Sequence, residues 1–131
     1  MHITKSTEDY LEAILMIVRE KGICRSVDVA TRLNFSRPSV SVAMKHLTEN
    51  GYIRRGAEGQ LELTPEGYQI AEATLERHNF LTEFFTSIGV SREVAEEDAC
   101  GMEHSISKES FDRFREWYSG MKNEGTVKEG H

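Results

Sequence analysis

The segment Cys100, Gly101, Met102, Glu103, His104 gathers three side chains able to bind a transition metal within five residues. On a helix, positions i, i+3 and i+4 lie on one side, so a thiolate, a carboxylate and an imidazole converge there. That mixture of soft and hard donors is unsuited to calcium or magnesium alone and fits a divalent transition metal. It makes half of a coordination shell, so other segments must supply the rest. Asp9 and Glu12, spaced i and i+3, and His78 are the obvious suppliers. Singly, each has an ordinary explanation: acidic pairs on helices are mostly solvated, a histidine is mostly just hydrogen-bonded, and a buried cysteine is a small hydrophobe. Three ligand-competent segments in one short chain are better explained together, by a shared cation.

The elements that must position these groups follow from periodicity. From Thr7 to Lys21, Tyr10, Leu11, Ile14, Leu15, Ile17 and Val18 recur at spacings of three and four, which predicts an amphipathic helix stopped by Gly22. Ser26 is the expected cap of a short helix from Val27 to Leu33, broken at Asn34 and Phe35. A third helix starts after Ser36, takes Pro38 in its first turn, and closes at Asn50 and Gly51. Two short strands, Tyr52 to Arg55 and Gln60 to Leu63, form a hairpin around Gly56 and Gly59. Thr64 and Pro65 open a long helix to about Ser87, ended by Gly89, and Ser91 and Ser107 precede two further helices.

Helix, short helix, tight turn, third helix and hairpin is the order of a winged helix-turn-helix, whose third helix enters the DNA major groove. With Val40, Met44 and Leu47 inward, Arg37, Ser39, Ser41, Val42, Lys45 and His46 turn outward, joined by Pro38 in the first turn, toward phosphates, base edges and thymine methyls. Arg54 and Arg55 on the hairpin are placed to reach backbone phosphates. The fold class expected is mainly α: a winged helix-turn-helix with a small β-hairpin wing over residues 1–64, then an all-helical dimerisation and metal-sensing domain over 65–131.

The net charge of −6 is unevenly spread. Through Leu63 there are nine basic against eight acidic residues, and the remainder carries seven against fourteen. A near-neutral DNA-reading half predicts modest, salt-sensitive binding by one subunit, so a homodimer on a palindromic operator in double-stranded DNA is expected. Two cysteines are too few for a disulfide framework, and no apolar run approaches a membrane span. A cytoplasmic location, with no membrane and no small organic ligand, follows as the expectation.

The motifs EDYLEAI, VDVATRLNFSRPSVSVAMKHLTENGYI, LTPEGYQIA, ERHNFL and CGMEHSIS, between Thr7 and about Trp117, are similar to those of the diphtheria toxin repressor family of metal-dependent transcriptional regulators. The manganese-responsive short branch is the nearer likeness. The resemblance implies a DNA-binding homodimer that represses metal-uptake genes with Mn2+ or Fe2+ as corepressor, Zn2+ or Co2+ substituting in vitro. By the same resemblance Asp9, Glu12, His78, Glu103 and His104 match metal ligands. Cys100 departs from the manganese branch, which has Glu there, and matches the iron branch, which conversely has Met in place of Asp9. Thr82 and Glu96 stand where the iron branch has ligands of an ancillary site, and its additional SH3-like domain is not expected.

Two rival classes make different demands. A Cys100–His104 nucleophile lacks an oxyanion device or any accompanying catalytic signature, so an enzyme is not expected. A metal-independent winged-helix regulator with Cys100 as redox sensor would bind DNA unchanged after mutation of Asp9 and Glu103.

Overall fold

The structure, a computed structural model, describes residues 3–123. Among them lie six helices and one antiparallel hairpin: α1 (Lys5–Lys21), α2 (Ser26–Leu33), α3 (Arg37–Glu49), β1 (Ile53–Arg55), β2 (Leu61–Leu63), α4 (Pro65–Ser87), α5 (Arg92–Met102) and α6 (Lys108–Asn123). The chain forms two compact units that divide between Ala73 and Thr74. The start of α4 therefore packs with the wing.

In the first unit Leu11, Ile14, Leu15 and Ile17 of α1 meet Val29 and Ala30 of α2, Val40, Met44 and Leu47 of α3, and Ile53 and Leu61 of the wing, all buried. Each large aliphatic side chain so buried contributes about 1.5–3 kcal/mol. Thr4 caps α1 by accepting from the Thr7 N–H, and Gly22 at φ 84° ends it in the left-handed conformation. Asn34 makes the turn between α2 and α3 at φ 58°, in the left-handed region that asparagine tolerates. Ser36 caps α3 through the Ser39 N–H.

The expected cap of α2 is corrected. Ser26 is the first helical residue, and Arg25 is the cap, its backbone N–H donating to Asp28 Oδ2 at 2.9 Å. An acceptor three residues into the helix binds the orphan donor, which a serine cap would not have done from Ser26. The strands are also one residue shorter at their starts than the periodicity predicts.

The hairpin pairs Ile53 with Leu63, Arg54 with Glu62 and Arg55 with Leu61. The Leu61 N–H donates to the Cys24 carbonyl at 2.8 Å, extending the pairing to the segment before α2. The wing base is fixed by Thr64, which donates from its backbone to Tyr52 O at 3.0 Å and from its hydroxyl to Gly51 O at 2.7 Å. A Cβ on Gly67 would stand 2.0 Å from the Tyr52 carbonyl oxygen, so only glycine lets the first turn of α4 close on the residue that leads into β1.

The second unit is a helical packing of the rest of α4 with α5 and α6. Phe80 of α4 meets Phe111, Phe114 and Tyr118 of α6 edge to face, at centroid separations of 5.4, 5.4 and 5.5 Å. Leu81, Ala95 and Ala99 are fully buried. Arg115 pairs with Glu76, and Lys122 with Glu83 at 3.1 Å, along the same helix pair.

Candidate metal centre and DNA-reading face

His78, Glu103 and His104 come together in the helical unit. His78 sits in mid-α4, where the Thr82 hydroxyl donates to its carbonyl at 2.8 Å. Glu103 caps the C-terminus of α5 with its N–H still bonded to Ala99 O. His104 lies in the turn that follows, where Ser105 and Ile106 both donate to Met102 O. The Glu103 side chain is wholly buried, with Oε2 at 2.9 Å from His78 Nδ1 and Oε1 at 3.2 Å from His104 Nε2. Arg77 donates to the Glu103 carbonyl, at 3.2 Å, fixing the backbone there.

Oε1 is close to His104 yet accepts no hydrogen bond from any described residue. A buried carboxylate oxygen left so is costly unless a cation satisfies it. Donor atoms bound at about 2.1 Å to one metal stand about 3.0–3.4 Å apart in octahedral or tetrahedral geometry. The spacing of Glu103 Oε1 and His104 Nε2 is that of two neighbouring ligands, whereas His78 meets the other carboxylate oxygen; carboxylate and imidazole are both donors for divalent transition metals.

The other sequence-predicted ligands are placed less fully. Asp9 and Glu12 are half-buried on α1, Asp9 within 3.9 Å of Lys5 Nζ. Cys100 is exposed on α5, although one helical turn from Glu103. The helix ends at Met102, so the face expected to carry Cys100, Glu103 and His104 together is not continued as a regular spiral. Thr82 is buried and committed to the His78 carbonyl, and Glu96 is paired with Arg92 at 3.1 Å.

In the DNA-reading unit Arg37, Pro38, Ser39, Ser41, Val42, Lys45 and His46 are all exposed on α3, and Val40, Met44 and Leu47 are buried beneath. A cleft of about 410 Å³ opens between α3 and the wing, lined by Ser41, Val42, Lys45, Thr48, Glu49 and Arg55. His46 lies 3.6 Å from Glu49.

The wing arginines are exposed but engaged. Arg54 pairs with Glu62, its cross-strand neighbour, at 3.0 Å. Arg55 donates to Gly59 O at 3.0 Å and to the Ser26 hydroxyl at 3.4 Å. Arg25, which no spacing singles out, donates to Glu58 O at 3.0 Å. Two arginines therefore hold the wing tip by its carbonyls, and the role of Arg25 is invisible in the sequence because it depends on a turn 33 residues away.

Comparison with known proteins agrees with this geometry. Residues 2–58 match the model of the iron-dependent repressor N-terminal DNA-binding domain, and residues 64–124 that of the iron-dependent repressor metal-binding and dimerisation domain. The transcriptional regulator MntR of Escherichia coli O6:H1 is 40% identical over 114 residues, 87% of this chain and 74% of that protein. This chain belongs to the diphtheria toxin repressor family. Another member, the HTH-type transcriptional regulator MntR of Bacillus pumilus, is 37% identical over 84% of the chain and 76% of its own length. The crystal structure of T. acidophilum IdeR superposes with a TM-score of 0.75 at 31% identity, over 91% of this chain. The chain spans 55% of that structure's length.

As a diphtheria toxin repressor family member the chain is a metal-dependent, DNA-binding transcriptional repressor that works as a homodimer. The winged helix-turn-helix with a helical metal-binding domain is the family's fold. A metal-independent regulator with Cys100 as redox sensor is not favoured by this membership. No helix among the described residues is long and apolar enough to cross a membrane.

Proposed function

We propose that this repressor senses Mn2+ or Fe2+ in the cytoplasm and controls genes of metal uptake, acting by binding rather than by turnover on a palindromic operator. The observation that carries the metal reading is Glu103, wholly buried between two imidazoles with one oxygen lacking a hydrogen bond. His78, Glu103 and His104, of which Glu103 is wholly buried, are the proposed ligands of the helical unit, and Asp9, Glu12 and Cys100 the proposed remaining ones. A solved relative, 25% identical, is a manganese-dependent transcriptional repressor in complex with manganese, which supports manganese as the first candidate.

A bound divalent ion supplies positive charge and fixed ligand directions. As bare carboxylates Asp9, Glu12 and Glu103 would oppose gathering around one site, and neutralisation by a cation would favour the ordered, DNA-competent dimer. Arg37, Ser39, Ser41, Val42, Lys45 and His46 then read the major groove, with Pro38 at the entry of α3 and Arg54 and Arg55 of the wing beside the backbone. By linkage, DNA must tighten metal binding by the factor by which metal tightens DNA binding. Anaerobic DNA-binding titrations with Mn2+, Fe2+ and chelator, combined with metal counting in the complex, test the reading. Equal DNA affinity in chelator and in either metal would refute it.

A further inference from the structure

Val42 is the most exposed large apolar side chain among the described residues of the DNA-reading unit, at 57%. Its position on α3 is specific. Each residue turns a helix by about 100°, which puts Val42 roughly 165° from the centre of the buried stripe formed by Val40, Met44 and Leu47. Only Glu49, the last residue of the helix, points as far outward, and it is occupied by His46 at 3.6 Å. Val42 thus crowns the helix, flanked by Ser39, Ser41, Lys45 and His46, all exposed.

An exposed, β-branched valine in mid-helix contributes nothing to folding, because its helix propensity is poor and its surface remains hydrated. Its two methyl groups become useful only when another surface dries them. On the floor of the major groove the one apolar group is the thymine 5-methyl. Between Arg37 and Glu49 there is no asparagine or glutamine, so the helix carries no side chain for bidentate reading of adenine. An A·T pair at the centre of its footprint must be recognised otherwise.

We infer that Val42 is a specificity-determining residue that reads a thymine methyl near the centre of each operator half-site. The inference rests on the DNA-regulator reading and deepens it, naming the base feature that α3 selects. Val42 supplies an apolar contact and its polar neighbours supply the hydrogen bonds, so substitution at Val42 alters sequence preference without altering the electrostatic share of affinity.

The probe is a duplex enriched from a random-sequence pool by the full chain with Mn2+. Each thymine is replaced in turn by deoxyuridine, which removes only the 5-methyl group. At one position per half-site the wild-type protein is expected to lose about fourfold in affinity, the value for one methyl group withdrawn from water. Val42→Ala is expected to bind the thymine duplex about as weakly as wild type binds the uracil one, to show no preference between the two there, and to keep the wild-type salt dependence. Wild-type indifference to every uracil substitution would overturn the inference, as would full methyl dependence retained in Val42→Ala. Enrichment of no duplex at all would overturn the regulator reading and this inference together.

Discussion

His78 Nδ1 and Glu103 Oε2 meet at 2.9 Å although 25 residues separate them in the chain. The contact joins mid-α4 to the end of α5 and buries a carboxylate completely. Glu103→Gln keeps the shape and one acceptor but removes the charge that a cation needs. Mn2+ affinity, measured by calorimetry, is expected to fall at least tenfold, and metal-dependent DNA binding with it. Stability of the metal-free protein should stay within about 1 kcal/mol of wild type, since the substitution deletes a buried charge. Unchanged Mn2+ affinity in Glu103→Gln would exclude Glu103 from the site.

Much of the fold was legible because local chemistry and global packing agree. Ser36, Ser91 and the left-handed Gly22 act where side-chain type predicts, whereas α1 starts at Lys5 behind a Thr4 cap, two residues before the expected Thr7, and the α3 face separates cleanly into buried and exposed sets. The ligand set was legible only in part. Glu103 and His104 adjoin in sequence, but their burial depends on where α5 stops, and Cys100 falls on the exposed side of that helix. The partners of Arg54, Arg55 and Arg25 are set by hairpin register and turn geometry, which residue spacing does not encode.

Asp28 holds the N-terminus of α2. Its carboxyl is held below the usual range first by the Arg25 backbone N–H and then by Lys21, whose Nζ lies 3.3 Å away. A lowered folded-state pKa stabilises above the unfolded value, and that contribution disappears as pH falls through the folded one. Asp28→Ala should therefore cost about 1 kcal/mol at pH 7. The part of the difference from wild type that depends on the ionised carboxylate should shrink in thermal melts as pH falls below the ordinary aspartate pKa and be gone below the lowered folded-state one. A gap that persists undiminished in acid would contradict the capping role.

The two cysteines should react differently. Cys24 is buried, and its thiol is pushed up to about 12, first by burial and next by the Asp28 charge. Cys100 is exposed. A disulfide reagent at mildly alkaline pH is expected to modify Cys100 in the native protein and Cys24 only after unfolding, as peptide mapping would show. Slower reaction of Cys100 in the presence of Mn2+ would mark it as a ligand. Equal rates at both thiols would contradict the burial of Cys24.

Tyr118 is buried in the aromatic cluster, and its hydroxyl has no hydrogen-bond partner among the described residues. Removing an unsatisfied buried hydroxyl relieves a desolvation cost. Tyr118→Phe should keep the edge-to-face contacts with Phe80 and Phe84 and raise stability by up to about 1 kcal/mol. Denaturant melts are the check, and a loss above that amount would reveal a partner for the hydroxyl.

Arg25→Ala should loosen the wing tip while leaving α3 intact. Backbone protection of operator DNA by the wing, mapped with hydroxyl radicals, is expected to weaken, and protection by α3 to persist. Arg25→Lys retains the charge without the planar fork, so it should restore salt-dependent affinity but not the wing footprint. Identical footprints for all three proteins would show that Arg25 does not orient the wing.

The missing side chain at residue 67 also bounds how this protein can change its target. Any larger residue there would collide with the Tyr52 carbonyl and displace the strand from which the wing springs. Libraries selected for altered operator preference should accumulate substitutions on α3 and at the wing tip and retain glycine at 67. The position is a pivot shared by two elements, and its emptiness keeps the DNA-facing surfaces in register while their chemistry varies.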